Sequence, residues 1–138
     1  MRGESKRPAP VTIGFAAGRH GHGVAYVKFG ERADALMRVP FSVRRLPALD
    51  GREISYAALT AALRVLLERG TCRLEIAMDD ALLVEELQRR RDVPRALTLP
   101  YIQLGCLLNR LQDVTFAPCA GAELSRRARS EVEAAAAA

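Results

Sequence analysis

YAALTAALRVLLERGTCRLEIAMDDALLVEELQ, residues 56–88, changes its hydrophobic period twice, and those changes decide the architecture. Ile54, Ala57, Ala58, Ala61, Val65 and Leu66 fall at helical intervals up to a stop at Gly70. Leu59, Ala62, Leu63 and Leu67 fill the remaining faces, so this helix must be covered on more than one side, between a sheet and another helix. Asp50 and Glu53 stand at capping-box spacing at its start. CRLEIAM, residues 72–78, then reads as a strand running into Asp79 and Asp80. These acids open a second helix, DALLVEELQRRR, with Leu82, Leu83 and Leu87 as its buried stripe. Helix, strand and helix in this succession imply parallel strands joined by right-handed crossovers.

Working outward, VTIGFA from Val11 and GVAYVKFG from Gly23 are extended segments joined by the glycine-rich turn GRHGHG, which makes a hairpin. ADALMRVPFSV, residues 33–43, is a third strand, and Pro40 suggests an edge or a bulge. Beyond Pro94, a helix over 101–111 carries Leu104, Leu107, Leu108 and Leu111 at core spacing. The run LGCLLNRL within it reads as core, with any exposed part open to a partner or a second copy. VTFAP, residues 114–118, is a fifth strand, and a last helix over about 122–135 carries Leu124, Ala128 and Val132. The order β-β-β-α-β-α-α-β-α describes an α/β domain, a five-stranded mixed sheet with helices on both faces. Residues 1–10 are expected to be a disordered lead-in, and 11–136 a single domain.

The chain has 138 residues, of which 49% are hydrophobic, enough for one sizeable core. No apolar run approaches the roughly 20 residues that span a bilayer, and the opening MRGESKRPAP lacks the apolar centre of a secretory signal, so a cytoplasmic protein without membrane contact is expected. Cys72, Cys106 and Cys119 have no zinc-site spacing and are expected to be reduced, buried small hydrophobes. The net charge of +5 favours polyanions.

YAALTAALRVLLERG and LEIAMDDALLVEELQ resemble segments of the ribonuclease H family, and the resemblance runs from Val11 to about Ala128. The first is similar to the family's central helix, where an Ala-Leu pattern follows a catalytic glutamate. The second is similar to its fourth strand, which ends in an aspartate before a helix. In that family four carboxylates hold two divalent ions about 3.5–4 Å apart, one activating water and the other stabilising the leaving oxygen. The resemblance puts Ala16 at the first acid position and Ser55 at the glutamate. Asp79 stands at the third acid, and Glu123, in AELSRRA, lies near the fourth, where the family shows an Ala-Asp-x-Leu-Ala pattern.

At most Asp79 and Glu123 remain to hold metal, weakly if at all. No cofactor is expected, with magnesium or manganese entering only if the chain is a nuclease. The resemblance therefore implies a catalytically degenerate ribonuclease H-like domain, a pseudoenzyme that binds nucleic acid or a partner. Two alternatives stand beside it: a weak metal-dependent nuclease cutting RNA in RNA/DNA hybrids, and a protein-interaction or oligomerisation scaffold. The shortened turn GRHGHG also lacks the Asn-Pro-Gly segment with which hybrid-cutting members touch RNA hydroxyls.

RNA, DNA or their hybrid would be held through its backbone by Arg19, His20 and His22 in the turn, Arg89, Arg90 and Arg91 ending the second helix, and Arg126 and Arg127 on the last. Each has an ordinary reading beside this one. The histidines suit a solvated turn, a phosphate contact or a metal pair. Asp79 and Asp80 suit helix capping, and arginines at a helix C-terminus suit its dipole. With no Trp and seven Phe plus Tyr, base stacking has little support.

Overall fold

The computed structural model describes residues 8–30 and 35–137. Strands β1 (Ala9–Ala17), β2 (His22–Phe29) and β3 (Leu36–Ser42) come first, then helix α1 (Arg52–Glu68). Strand β4 (Arg73–Met78), helices α2 (Ala81–Leu87) and α3 (Thr98–Leu108), strand β5 (Asp113–Phe116) and helix α4 (Ala122–Ala137) complete the order read from the sequence. The sheet runs β3-β2-β1-β4-β5. β1 is antiparallel to β2, and β2 to β3, whereas β4 is parallel to both β1 and β5.

Side chains alternate across the sheet, and β2 shows how the two faces are built. Ala25 and Val27 enter a core with Ile13, Leu74, Ile76 and the α1 residues Leu59, Leu63 and Leu66. Val24 and Tyr26 face the other way and pack on Ala128, Leu124 and Val132 of α4. α1, α2 and α3 thus bury residues in one core, and α4 covers β1 and β2 on the opposite face. α1 contacts β1, β2, β3 and α3, which explains why it is apolar nearly all round. α4 approaches β1 closely because position 14 is glycine. A Cβ there would lie 2.3 Å from the Ser125 amide nitrogen and 2.5 Å from the Leu124 Cβ.

Several local expectations change. β1 begins at Ala9, inside the expected lead-in, because Ala9 and Pro10 pair with β4 and the Pro10 carbonyl accepts the Gly30 amide at 3.0 Å. The rest of the lead-in, residues 1–7, and the first residues of the expected third strand lie outside the described residues. Pro40 sits in β3, an edge strand, where a missing N–H does no harm.

The Asp50–Glu53 capping box does not form. Asp50 closes a short 3-10 turn with φ 53°, Gly51 is the N-cap of α1 without a side-chain hydrogen bond, and Glu53 turns back toward Arg45. α2 ends at Leu87 rather than running through the arginines, and Arg89 takes a left-handed φ of 61°. All three cysteines are exposed, contrary to their expected burial, since Cys72 and Cys119 lie in connections and Cys106 on the outer face of α3. Of the LGCLLNRL run, Leu104 and Leu111 are buried and Leu107 and Leu108 partly so, with Cys106 outside.

Two polar clusters tie helices to their neighbours. Glu86 of α2 is 0% exposed and accepts hydrogen bonds from Tyr56 Oη, at 2.7 Å, and from the Arg52 guanidinium, both on α1. Burial first, then the Glu86 carboxyl, pushes the Tyr56 hydroxyl far above the usual phenol range. On the other face, Glu131 of α4 accepts from Tyr26 Oη and from Arg38 on β3, whose Nε lies 3.0 and 2.9 Å from the two carboxylate oxygens. The Arg127 guanidinium stacks 4.7 Å from the Tyr26 ring centroid. The Arg38 hydrogen bond, then that from Tyr26, holds the Glu131 carboxyl down at about 2.

Candidate nucleic-acid interface

The C-terminal ends of β1 and β4 lie side by side, with Ile13 beside Met78 and the Asp79 amide donating to the Ile13 carbonyl at 3.2 Å. Parallel pairing therefore brings the Asp79 segment to the stretch that leads into Ala16. Asp80, not Asp79, caps α2: its Oδ1 accepts the Leu83 amide at 3.1 Å. The Ala120 amide donates to the Met78 carbonyl at 3.3 Å, which brings the β5–α4 connection to this edge. Desolvation of the sulfur, followed by the nearby Asp79 and Asp80 carboxylates, pushes the Cys119 thiol up. Ser55, in the first turn of α1, is 4% exposed.

α4 meets the same strand ends through a defined face. A Cβ at Gly121 would lie 2.7 Å from the Ile13 carbonyl oxygen, and Ser125 Oγ accepts the Phe15 amide at 3.0 Å. Glu123 is two residues from each of these, about 200° around the helix. Its side chain is 90% exposed and lies 3.7 Å from Arg126. The helix therefore turns Glu123 away from β1 and from the Asp79 edge. Among the described residues, no group of three or more His, Cys, Asp or Glu side chains is arranged to hold a metal ion.

A cleft of about 1220 Å³ opens beside this edge, between the β1–β2 turn, β3, the start of α1 and the C-terminal half of α4. Phe15, Phe41, Ile54 and Val132 contribute apolar walls, and Arg19, His20, His22 and Arg129 bring positive or protonatable groups. Arg19, His20, His22 and Arg129 are all exposed. Arg38 also lines the cleft, but its charge is committed to Glu131. The turn is held open from below. Gly21, at φ 89°, brings its backbone against Val43, and the Val43 amide donates to the Gly21 carbonyl at 2.8 Å. Arg45 Nη1 donates to the Gly18 carbonyl at 2.8 Å while its Nε meets Glu53 at 3.1 Å.

Glu53 is 3% exposed. Burial acts to raise its pKa, but the Leu46 amide, its own amide and Arg45 outweigh that and hold it below the usual carboxylate range. It thus fastens the β3–α1 connection to the turn, a role the sequence reading missed. An Arg eight residues before a helix-start glutamate was the available signal.

The cations read from the sequence fall into two sets. Arg19, His20 and His22 gather at the cleft with Arg129, while Arg127 lies on the same helix over Tyr26 and Arg126 beside Glu123. Arg89, Arg90 and Arg91 are exposed on the α2–α3 connection and do not line the cleft.

No family model and no curated protein matches the chain. Solved structures do. The N-terminal RNase H domain of rv2228c from Mycobacterium tuberculosis superposes with a TM-score of 0.66 at 20% identity, covering 93% of this chain and 96% of that one. RNase H1 of the halophilic archaeon Halobacterium salinarum NRC-1 gives 0.65 at 16% identity, covering 89% and 92%.

The chain has the ribonuclease H fold.

A third structure with the ribonuclease H fold, LC11-RNase H1 in complex with an RNA/DNA hybrid, gives a TM-score of 0.59 at 12% identity, covering 86% of this chain and 89% of that one. The order of elements, the mixed five-stranded sheet and the helices on both faces are those expected from the sequence, and the fold is the one that the resemblance to the ribonuclease H family implies. Among the described residues no helix is long and apolar enough to cross a membrane.

Proposed function

We propose that this domain binds nucleic acid through its backbone and does not hydrolyse it. The observation that carries the reading is the composition of the edge where β1, β4 and α4 meet. A ribonuclease H two-ion centre needs carboxylates from all of these elements and from α1, because two adjacent divalent cations repel unless oxygen anions offset them. Here Ala16 and the buried Ser55 have no carboxylate, and Glu123 points away. The inward pair Leu124 and Ser125 matches the Leu-Ala of the family's Ala-Asp-x-Leu-Ala pattern. That register puts Ala122, not Glu123, at the fourth acid position. Asp79 is then the single acid left, and the residues present do not fit a two-ion centre.

What remains is a rim where exposed cations outnumber the acids Glu131, already paired with Arg38, and Glu133. Arg19, His20, His22 and Arg129 at the cleft, with Arg126 and Arg127 along α4, form a discontinuous cationic track. Arg89, Arg90 and Arg91 form a separate patch. Flexible exposed arginines suit phosphate contacts that carry little sequence information. The fold's appearance in a hybrid-bound LC11-RNase H1 supports a polynucleotide as ligand class. RNA, DNA and their hybrid are the candidates, in a cytoplasmic setting.

The test is anisotropy titration of labelled hybrid, duplex and single strand at two salt concentrations. If about four arginines reach phosphates, log K falls against log salt with a slope of roughly −3 to −4. Arg19→Glu with Arg129→Glu should weaken binding at least tenfold. Salt-independent binding, or none at low salt, would refute the reading. Incubation of hybrid with magnesium or manganese tests the nuclease alternative. Cleavage that disappears in Asp79→Asn would establish an enzyme and overturn the proposal.

A further inference from the structure

The outer face of α3 is built differently from every other exposed helix surface in the described chain. Leu99 and Ile102 are 64% and 53% exposed and are its exposed large hydrophobic side chains. With exposed Cys106 they form one line at steps of three and four residues. Arg95, in the turn before α3, extends that line at one end, and Arg110, just past α3, at the other. Both arginines are exposed. The opposite side of α3 is already used, since Leu104 is 0% exposed and α3 packs on α1. Core packing therefore gives no account of Leu99 and Ile102.

Gly105 adds an independent observation. It lies mid-helix, where glycine weakens a helix relative to alanine. Among the described residues a Cβ there would meet nothing within 4 Å, so none of them requires the gap. It leaves a notch beside Ile102, one turn away, of the kind that a side chain from a facing helix fills.

We propose that this face of α3 is a docking seam for a partner protein's amphipathic helix whose apolar stripe is bounded by acidic residues. The three- and four-residue spacing matches the seam between two packed helices, and Ile102 with the Gly105 notch supplies a knob and a hole. The terminal arginines select the partner's charge. A second copy of this chain would set Arg95 against Arg110 if antiparallel, or like against like if parallel, so self-pairing is disfavoured. Nucleic acid gains nothing from an aliphatic stripe with no exposed aromatic ring to stack on. Aspartate or glutamate one turn beyond each end of an incoming helix answers both arginines. The seam stands apart from the cleft and does not rest on the nucleic-acid reading.

The experiment uses the full chain and a labelled synthetic helix of about 18 residues, with leucine at both seam positions of each heptad and glutamate flanking them. A second peptide carries lysine at each glutamate. The glutamate peptide should bind and the lysine peptide should not. Ile102→Asp should weaken binding about tenfold or more while circular dichroism and hybrid titration stay as in the parent. Arg95→Glu with Arg110→Glu should reverse the preference to the lysine peptide, a rescue that a damaged fold does not produce. Failure of the glutamate peptide to bind, equal binding of both peptides, or no reversal would overturn the proposal. So would a dimer in solution dissolved by Ile102→Asp, which makes a second copy the occupant, or loss of hybrid binding in that variant, which makes it nucleic acid.

Discussion

Replacing Glu86 with leucine tests the polar cluster that joins α1 to α2. Leucine is close in volume, so the change removes charge and acceptors and leaves little void. Arg52 then loses the partner of its guanidinium, with its side chain only 18% exposed and its Nε already without a hydrogen bond. The Tyr56 hydroxyl loses its 2.7 Å acceptor inside the core. Breaking a buried ion pair from one side costs about 3–5 kcal/mol, because the remaining charge stays desolvated. For a domain of this size each kcal/mol lowers Tm by roughly 3.5 °C, so the variant should melt about 10–17 °C lower.

Removing the whole cluster separates this cause from loss of packing. Arg52→Leu, Tyr56→Phe and Glu86→Leu together leave no orphaned polar group, and should recover to within about 1–2 kcal/mol of the parent. The assay is urea unfolding followed by circular dichroism at 25 °C, with the slopes compared to exclude a change in the unfolded state. A cost below about 1 kcal/mol for Glu86→Leu, or a triple variant no more stable than the single one, would refute the account.

Two glycines should respond in opposite directions. Gly14→Ala forces α4 off β1 and should cost about 2 kcal/mol or more, whereas Gly105→Ala meets open space and should gain about 0.5–1 kcal/mol, both read by thermal melting. The Tyr26–Arg38–Glu131 cluster should appear in the acid limb of the stability profile. Glu131 has its pKa lowered from the ordinary 4.5 to about 2, so its contribution is present above 4.5 and is lost as pH falls through about 2. Because the side chain is a third exposed, solvent screening limits that contribution to about 1 kcal/mol. Glu131→Gln should flatten the profile across that window, and an unchanged slope would show that the cluster does not bear on stability.

The element order and both sheet faces were legible in the sequence because they rest on periodicity. Val24 and Tyr26 against Ala25 and Val27 is a two-residue alternation, and the near-continuous apolar surface of α1 required cover from a sheet and a helix together. The placing of Ala16 and Ser55 at the family's acid positions came from the resemblance of the flanking segments to the ribonuclease H family, which is likewise a matter of local sequence. What local pattern missed were choices between competing partners. Glu53 has the spacing of a capping residue, yet Arg45 and the Leu46 amide, brought near by the β3–α1 connection, both donate to its carboxylate, and the charged donor outweighs what the helix end offers. Arg89 to Arg91 continue a helical composition, but the left-handed turn at Arg89 ends the helix before them.

From its amino acids alone, then, the chain was legible as an α/β domain with a five-stranded mixed sheet resembling the ribonuclease H family, because side-chain spacing and identity are properties of the chain itself. Which way Glu123 points, which cations share the cleft, and that Leu99 and Ile102 are left uncovered beside Gly105 depended on how separate elements pack. Those facts concern neighbours distant in sequence. They exist only once α4 has settled on β1 and α3 on α1.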